Sequence, residues 1–300
     1  MDQTDTIKRA TFQNIASQDA VRPTNREVRW LKHIERHGPQ SSIYLYELTR
    51  DTHSCKDTAL RQMQRLRAGG FLTLPPQQRA TERAEFKPYI YDLTLKAKGW
   101  LADRGLSEPT VRPTGHWWHS YQTACVTSSI DMAASRAGVR YIPTHEILAK
   151  RGSSLGVPFS GGTLIPDQLF ALDYGGTFRA FAVEVDRGTE PLTSAAARKS
   201  LVSSIMQYGE LITSGRYRDH YGLKANLLAL WVFESRGRAL NFMNLLASRS
   251  LPERAATLVQ TKQDIEGANG QLRSASHLFT APWARAGLND ASIGIPSTKL

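Results

Sequence analysis

The chain has 300 residues, 41% hydrophobic and 22% charged, which excludes a wholly disordered protein and, at this length, favours two domains. Lys and Arg number 38 against 27 Asp and Glu, a formal net charge of +11, so a polyanionic partner is favoured, nucleic acid before a membrane surface. Two cysteines, Cys55 and Cys125, fit neither a disulfide framework nor a zinc knuckle.

The sequence gives no sign of membrane insertion. Its longest apolar run, Leu227 to Phe233, is far shorter than the ~20 residues that span a bilayer. The first residues lack the apolar segment of a secretory signal. We therefore expect a cytoplasmic protein without a membrane partner.

The N-terminal third of the chain has a helical pattern. Residues 1–23 are polar and aperiodic and are predicted to form a flexible arm. Thr24 is a suitable helix N-cap, and Glu27 three residues later completes a capping box. The predicted helices then cover about 24–37, 43–50 and 56–68, followed by strand-like segments at 71–74 and 89–94 and a closing helix at 95–104.

Three helices followed by a hairpin with a long polar tip is the order of a winged helix-turn-helix, which we predict for residues 24–104. The segment from Tyr91 to Leu101 resembles the last strand and closing helix of many bacterial winged-helix proteins. The third helix and the wing are rich in basic residues, and the alternative is a solvated basic helix on an ordinary helical domain. The candidate DNA-binding residues are Lys56, Arg61, Arg65 and Arg67 on the helix and Arg79, Arg83 and Lys87 in the wing.

Residues 105–117 are predicted as a linker, because glycine and proline interrupt the pattern. Residues 118–249 then predict the order αβββαβα, an α/β fold (α+β for the whole chain). The continuous apolar run at 226–234 predicts a central buried strand. Residues 250–300 lose periodicity and are predicted as a C-terminal extension. The second domain's elements are predicted at about 118–137 (helix), 140–148 (strand), 152–162 (glycine-rich loop), 164–174 and 178–187 (strands), 194–214 (helix), 226–234 (strand) and 239–249 (helix).

Three carboxylates are predicted to meet on one face of the sheet. Gly175-Gly176 favours a two-residue hairpin turn between the strands at 164–174 and 178–187. Counting back from that turn places Asp167 directly opposite Glu184, and the alternation of side chains puts Asp186 on the same face.

Opposed like charges destabilise a sheet, whereas a divalent cation would make the same arrangement favourable. Hard oxygen ligands suit Mg²⁺ or Mn²⁺. The alternative is a longer turn with another register, in which the acids are separate surface groups.

The acids also carry a family resemblance. Pro166-Asp167 on one strand and Glu184 on the next resemble the motif of PD-(D/E)xK nucleases, with Asp186 at the position of the motif lysine. The run from Glu184 to Glu190 (Glu-Val-Asp-Arg-Gly-Thr-Glu), behind a winged helix and His119, resembles the plasmid replication-relaxation family. That family overlaps the relaxases of mobilisable plasmids with a restriction-endonuclease-like fold. The resemblance covers roughly residues 24–249.

The resemblance implies a metal-dependent protein that nicks double-stranded DNA at a plasmid origin of transfer or replication. It implies an αβββαβ nuclease-like domain, a Mg²⁺ or Mn²⁺ cofactor and other relaxosome proteins as partners. It assigns Asp167, Glu184 and Asp186 to the metal and catalytic site, with Glu146 as a further metal ligand.

Two other side chains are candidates for catalysis. His119 stands at the start of a helix, and Tyr208 lies on the apolar stripe of another; the structural alternatives are a hydrogen-bonding histidine and a core tyrosine. A competing function is a non-catalytic DNA-binding accessory protein or repressor with a degenerate nuclease fold. Asp186 in place of lysine favours that alternative, and the retained opposed acids disfavour it.

Overall fold

The structure, a computed structural model, describes residues 15–53, 55–76, 89–111, 117–159, 162–186, 188, 200–261 and 276–294. The chain divides into two compact units, Met1–Thr110 and Val111–Leu300. Within the described ranges, no helix combines the length and the apolarity that crossing a bilayer requires. The predicted wing residues Arg79, Arg83 and Lys87 lie outside the described residues.

The first helix of unit 1 begins where the sequence predicts. The Thr24 side chain accepts a hydrogen bond from the Glu27 N–H, and Glu27 Oε2 accepts one from the Thr24 N–H at 2.7 Å. This confirms the predicted capping box. The helices of unit 1 are α1 (Asn25–His37), α2 (Ser42–Leu48), α3 (Lys56–Ala68) and α4 (Leu95–Ala102).

A small three-stranded sheet accompanies these helices. Its order is β1-β3-β2, and both pairings are antiparallel. The first strand was not predicted, because two residues are too few to show alternation. The strands are β1 (Gln40–Ser41), β2 (Leu72–Thr73) and β3 (Ile90–Leu93). The core packs helices against strands around Trp30, whose indole N–H donates to the Leu45 carbonyl at 2.7 Å.

The described part of unit 2 contains a seven-stranded mixed sheet in the order β12-β11-β10-β9-β8-β7-β4. Its central strand is the apolar run at 227–233, which confirms the prediction of a buried strand there. The strand pairs β8–β9 and β9–β10 are parallel, and β7–β8 is antiparallel. The sheet strands are β4 (Arg140–Pro143), β7 (Gln168–Asp173), β8 (Phe178–Val185), β9 (Leu227–Phe233), β10 (Thr257–Thr261), β11 (Trp283–Arg285) and β12 (Leu288–Ala291).

Helices pack against this sheet. The longest is buried on all sides from residue 121 to residue 134, so it behaves as a core element. The helices are α5 (Trp117–Arg136), α6 (Thr144–Ala149), α7 (Leu201–Thr213), α8 (Arg216–Tyr221), α9 (Arg236–Ala247), α10 (Leu251–Ala256) and α11 (Ser276–Thr280).

Prolines shorten two of the predicted strands, one at its end and one at its start. The strand predicted at 140–148 stops at Pro143, and α6 follows, so Glu146 lies on a helix instead of a strand. The strand predicted at 164–174 is interrupted around Pro166, because proline cannot donate to a strand ladder. Its first part is β6 (Gly162–Leu164), which pairs with β5 (Val157–Phe159) inside the stretch predicted as a glycine-rich loop.

Residues beyond 249, predicted as an extension, continue the sheet instead. The strand β10 pairs in parallel with β9 over its whole length, from Thr257 opposite Ala229 to Thr261 opposite Phe233. Its sequence, Thr-Leu-Val-Gln-Thr, is polar at three of five positions although all five are buried. A buried strand with so many polar side chains lacks the apolar run that identifies such strands in a sequence.

Candidate active site

The β7–β8 hairpin has the predicted register. Gln168 pairs with Val183, and the strands meet at Asp173 opposite Phe178. Gly175 and Gly176 have φ of 84° and 102°, the positive values that a type I′ turn requires. Asp173 Oδ1 accepts hydrogen bonds from both glycine N–H groups at 3.0 and 2.7 Å.

Asp167 stands one residue before β7, at the end of the hairpin away from the turn. Its Oδ2 accepts the Val185 N–H at 2.8 Å, and its Oδ1 lies 2.8 Å from His119 Nε2. His119 comes from the first turn of α5, and its other ring nitrogen is buried and has no hydrogen-bond partner in the part of the chain that the structure describes. The structure therefore brings together two predicted site residues that are 48 positions apart in the sequence.

Glu184 is buried on the face of β8 that carries Ala180 and Ala182. The Tyr208 hydroxyl, from α7, donates to Glu184 Oε1 at 2.6 Å. Burial first, and the Glu184 carboxylate second, raise the pKa of Tyr208 well above its usual range; Asp167 adds to the shift. Since charge effects act at short range, Asp167, Glu184 and Tyr208 form one local group.

Asp186 has a partner that the sequence analysis missed. Arg238 binds it with two hydrogen bonds, Nε to Oδ2 and Nη2 to Oδ1, both 2.7 Å, and the Asp186 side chain is 2% exposed. Arg238 lies in the first turn of α9, which directly follows β9. Because the parallel strands β8 and β9 end at the same edge, the start of α9 lies near Asp186. The sequence signal for this contact was the position of Arg238 just after the apolar strand predicted at 226–234.

We call Asp167, Glu184 and Asp186 the acid cluster. In contrast, Glu146 forms an exposed ion pair with Arg140 at 2.7 Å, and no described contact joins it to the cluster. The prediction that Glu146 lies on a strand is wrong, since Glu146 lies on the helix α6.

The basic residues of α3 differ in their surroundings. Lys56 and Arg61 are exposed, whereas Arg67 is half-buried. Arg65 binds Glu27, with Nη2 at 2.7 and 2.5 Å from the two carboxylate oxygens, and the Glu27 side chain is fully buried. Arg65 thus forms an ion pair within unit 1 with the same glutamate that caps α1.

An aromatic group surrounds the start of α5. Trp117 stacks on Tyr121 with ring centroids 5.9 Å apart, and Trp118 lies 5.4 Å from Tyr121. Trp118 remains 45% exposed although it directly precedes His119. An exposed indole ring is therefore presented by the same helical turn that carries His119.

A family model described as replication-relaxation matches residues 31–227, about two thirds of the chain. The chain belongs to the replication-relaxation family. Membership indicates a role in plasmid replication or mobilisation. No curated protein and no solved structure matches the chain.

The replication-relaxation match runs from α1 to the first residue of β9. It therefore includes the acid cluster, His119 and Tyr208, and it ends before Arg238. The partner of Asp186 comes from the part of the sheet beyond the matched range.

A divalent cation fits part of this donor set. Both oxygens of Asp186 are bound by the Arg238 guanidinium, so this carboxylate is poorly suited to ligate a metal. Glu184 accepts a hydrogen bond from Tyr208, and Asp167 accepts one from His119 and one from the Val185 N–H. Each of these is weaker than a bidentate ion pair. Among the described residues, the cluster and His119 do not bring three ligand atoms within 4.8 Å of one another. Mg²⁺ is often bound by one or two carboxylates, with water and substrate phosphate completing its coordination.

Proposed function

We propose that this replication-relaxation protein binds double-stranded plasmid DNA through unit 1 and nicks it in unit 2 with a divalent cation held by Asp167 and Glu184. The observation that carries the proposal is the convergence at one end of the β7–β8 hairpin. Two carboxylates, a histidine and a tyrosine from three separate segments meet there in a largely buried setting. A sheet that needed only stability would not collect like charges at this position.

The topology of unit 2 supports a nuclease-like fold. A long helix, three antiparallel strands, a helix and a parallel fourth strand follow one another as α5, β4–β7–β8, α7 and β9, with α6 and the separate β5–β6 pair between β4 and β7 and with α8 before β9. Apart from these insertions, the order resembles the αβββαβ order of the PD-(D/E)xK nucleases. Asp167 stands one residue before β7, the second of these strands, and Glu184 lies on β8, the third, which resembles the placement of the motif acids.

The arrangement of unit 1 supports a winged helix-turn-helix. Three helices are followed by the paired strands β2 and β3. The short strand β1, which lies between α1 and α2 in the chain, pairs with β3. The exposed Lys56 and Arg61 on α3 provide cations for phosphate contacts.

In the proposed reaction, Mg²⁺ or Mn²⁺ would stabilise charge on the cleaved phosphate and lower the pKa of an attacking water. Arg238 supplies a fixed positive charge near the position of the missing motif lysine. A guanidinium stays protonated at neutral pH and cannot act as the base. His119 is a further polar side chain at the site, and its hydrogen bond to Asp167 orients its ring.

Tyr208 is unsuited to form a covalent link to DNA. Its pKa is raised by burial and by Glu184, and its hydroxyl proton is already donated to that carboxylate. A nucleophilic phenol needs the opposite conditions, a lowered pKa and access to the phosphate. We therefore propose hydrolysis by water, with Tyr208 holding Glu184 in place.

The second candidate is a non-catalytic DNA-binding accessory protein or repressor. The bidentate Asp186–Arg238 pair favours it, because a closed ion pair stands where the nuclease motif has lysine. In this case the cluster stabilises the sheet edge, and DNA binding by unit 1 is the whole function.

A nicking assay on supercoiled plasmid carrying the cognate origin separates the two candidates. The proposed nuclease converts it to open circles with Mg²⁺ or Mn²⁺ and not with EDTA. A plasmid without the origin controls for sequence-independent cleavage. Origin binding with no nicking under either metal would support the accessory protein.

A further inference from the structure

A cavity of about 510 Å³ lies in unit 2, where α9 faces β10 and the segment that leads into β11. Its volume is within the range of small-molecule sites. Its lining includes Leu240 and Met243 from α9, Val259 and Gln260 from β10, and Pro282. None of the acid cluster, His119 or Tyr208 lines it, so the cavity is separate from the candidate active site.

The cavity opens where the β10–β11 ladder ends. In the described residues, Val259 opposite Ala284 is the one pair between these strands. Continuing the antiparallel register would place Thr261 opposite Pro282. Proline has no N–H to donate, so the ladder cannot continue and the strands can separate.

Gln260 has an unused acceptor at this point. The residue is 7% exposed, and its Nε2 donates to the Pro282 carbonyl at 3.0 Å. That contact fixes the orientation of the amide, because a flipped amide would set two oxygens against each other. Among the described residues, its buried Oε1 has no hydrogen-bond partner. Buried acceptors are nearly always paired, so this atom calls for a donor that the described residues do not supply.

We propose that this cavity binds a small, mostly apolar ring compound that donates one N–H or O–H to Gln260 Oε1. The aliphatic side chains of Leu240, Met243 and Val259 would cover the ring. Arg236 and Asp290, of opposite charge, both line the cavity, which favours a ligand without net charge. The ligand would contact α9, the helix whose Arg238 binds Asp186. The proposal does not depend on nicking.

Calorimetric titration of the full chain with indole and 1-methylindole tests the proposal. The two probes have nearly the same apolar surface, and only indole has an N–H. We expect indole to bind about 5- to 10-fold more tightly, the contribution of one hydrogen bond. Equal affinities would mean adventitious binding of an additive to an apolar groove, and no binding of either probe would mean that the cavity is not a site. Either result overturns the proposal.

Two variants identify the contact. Gln260→Leu keeps the side-chain size and removes the acceptor, so the preference for indole should disappear while 1-methylindole still binds. Leu240→Trp enlarges a residue that is 64% exposed at the cavity wall, and because the change is on the surface the fold should tolerate it. It should abolish binding of both probes. If Gln260→Leu does not fold, Leu240→Trp alone decides whether the probes occupy this cavity. An indole preference that survives in Gln260→Leu overturns the assignment of the acceptor.

Discussion

The acid cluster of unit 2 and the basic face of α3 in unit 1 hold their charges in different ways. Asp186 is buried and bound by Arg238, whereas Lys56 and Arg61 point into solvent. Buried charges depend strongly on their partners, and exposed charges act through a screened field. Substitutions in the cluster should therefore have large, specific effects, and substitutions on α3 should have small effects that vary with salt.

The largest expected effect is on nicking. Asp167→Asn and Glu184→Gln should each lower the nicking rate by about 10³-fold or more, because a bound metal contributes several kcal/mol to the transition state. Affinity for origin duplex should stay nearly unchanged, since it depends on basic surface. Rates from the supercoiled-plasmid assay, with binding measured on the same variants, test this.

Glu146→Gln is the matched control for those variants. It removes a carboxylate of the same unit that pairs with Arg140 outside the cluster. Its nicking rate should equal that of the unchanged chain. If Glu146→Gln were as defective as Glu184→Gln, the comparison between clustered and isolated acids would fail.

The second effect is on stability. Arg238→Leu leaves the buried Asp186 carboxylate without its bidentate partner and should lower the free energy of unfolding by about 3–5 kcal/mol. The double variant Asp186→Leu/Arg238→Leu removes both charges and should recover most of that loss. Urea unfolding of the full chain measures both. If Arg238→Leu lowered the free energy of unfolding by less than the double variant does, the ion pair would not be what stabilises this edge of the sheet.

The local parts of this fold and site could be predicted from the sequence, and the long-range parts could not. The capping box at Thr24 and the turn at Gly175-Gly176 involve neighbours in the chain, so their geometry follows from residue type. The β7–β8 register then follows from the turn. The Asp186–Arg238 contact joins residues 52 positions apart. Predicting it requires knowledge that β8 and β9 are parallel neighbours.

The same limit applies to Arg65. Arg65 resembles Lys56 and Arg61 in the sequence, one basic residue among several on α3. Its partner, Glu27, lies 38 positions earlier and was already assigned to the capping box. A side chain that serves two contacts at once is not visible in a pattern of residue types.

Arg65 therefore tests whether the effect of a substitution depends on burial of the ion pair or on the position of the residue on α3. We expect Arg65→Ala to lower the free energy of unfolding by about 1–3 kcal/mol, because it leaves the fully buried Glu27 carboxylate with fewer donors. Arg61→Ala, one turn earlier on the same helix, should change stability little. Thermal unfolding of both variants measures the difference. Equal stabilities would place Arg65 with the exposed residues of α3.

A smaller effect is expected at Tyr208. Tyr208→Phe removes the hydroxyl that donates to Glu184 and keeps the ring that packs on Trp231 at 5.7 Å. If the cleavage is hydrolytic, the rate should fall by no more than about 10-fold, the value of one hydrogen bond. A covalent tyrosine mechanism through this residue would instead abolish nicking. Trapping of protein on nicked DNA, absent in the hydrolytic case, gives an independent measurement.

The smallest expected effect concerns Lys56 and Arg61. Each charge that contacts a phosphate releases a counterion, so binding to duplex DNA weakens as salt rises, with a slope in log–log form that reflects the number of contacts. Lys56→Ala and Arg61→Ala should each reduce that slope by about 1 and weaken binding evenly across sequences. Because both side chains are exposed, the melting temperature should not change. Titrations of full-length protein into origin duplex at several salt concentrations measure the slope.

Lys98→Ala is the matched control, since Lys98 is an exposed lysine of the same unit on α4 and not on α3. A slope that changes as much for Lys98 as for Lys56 would mean that α3 has no special role and that DNA binding follows net charge alone.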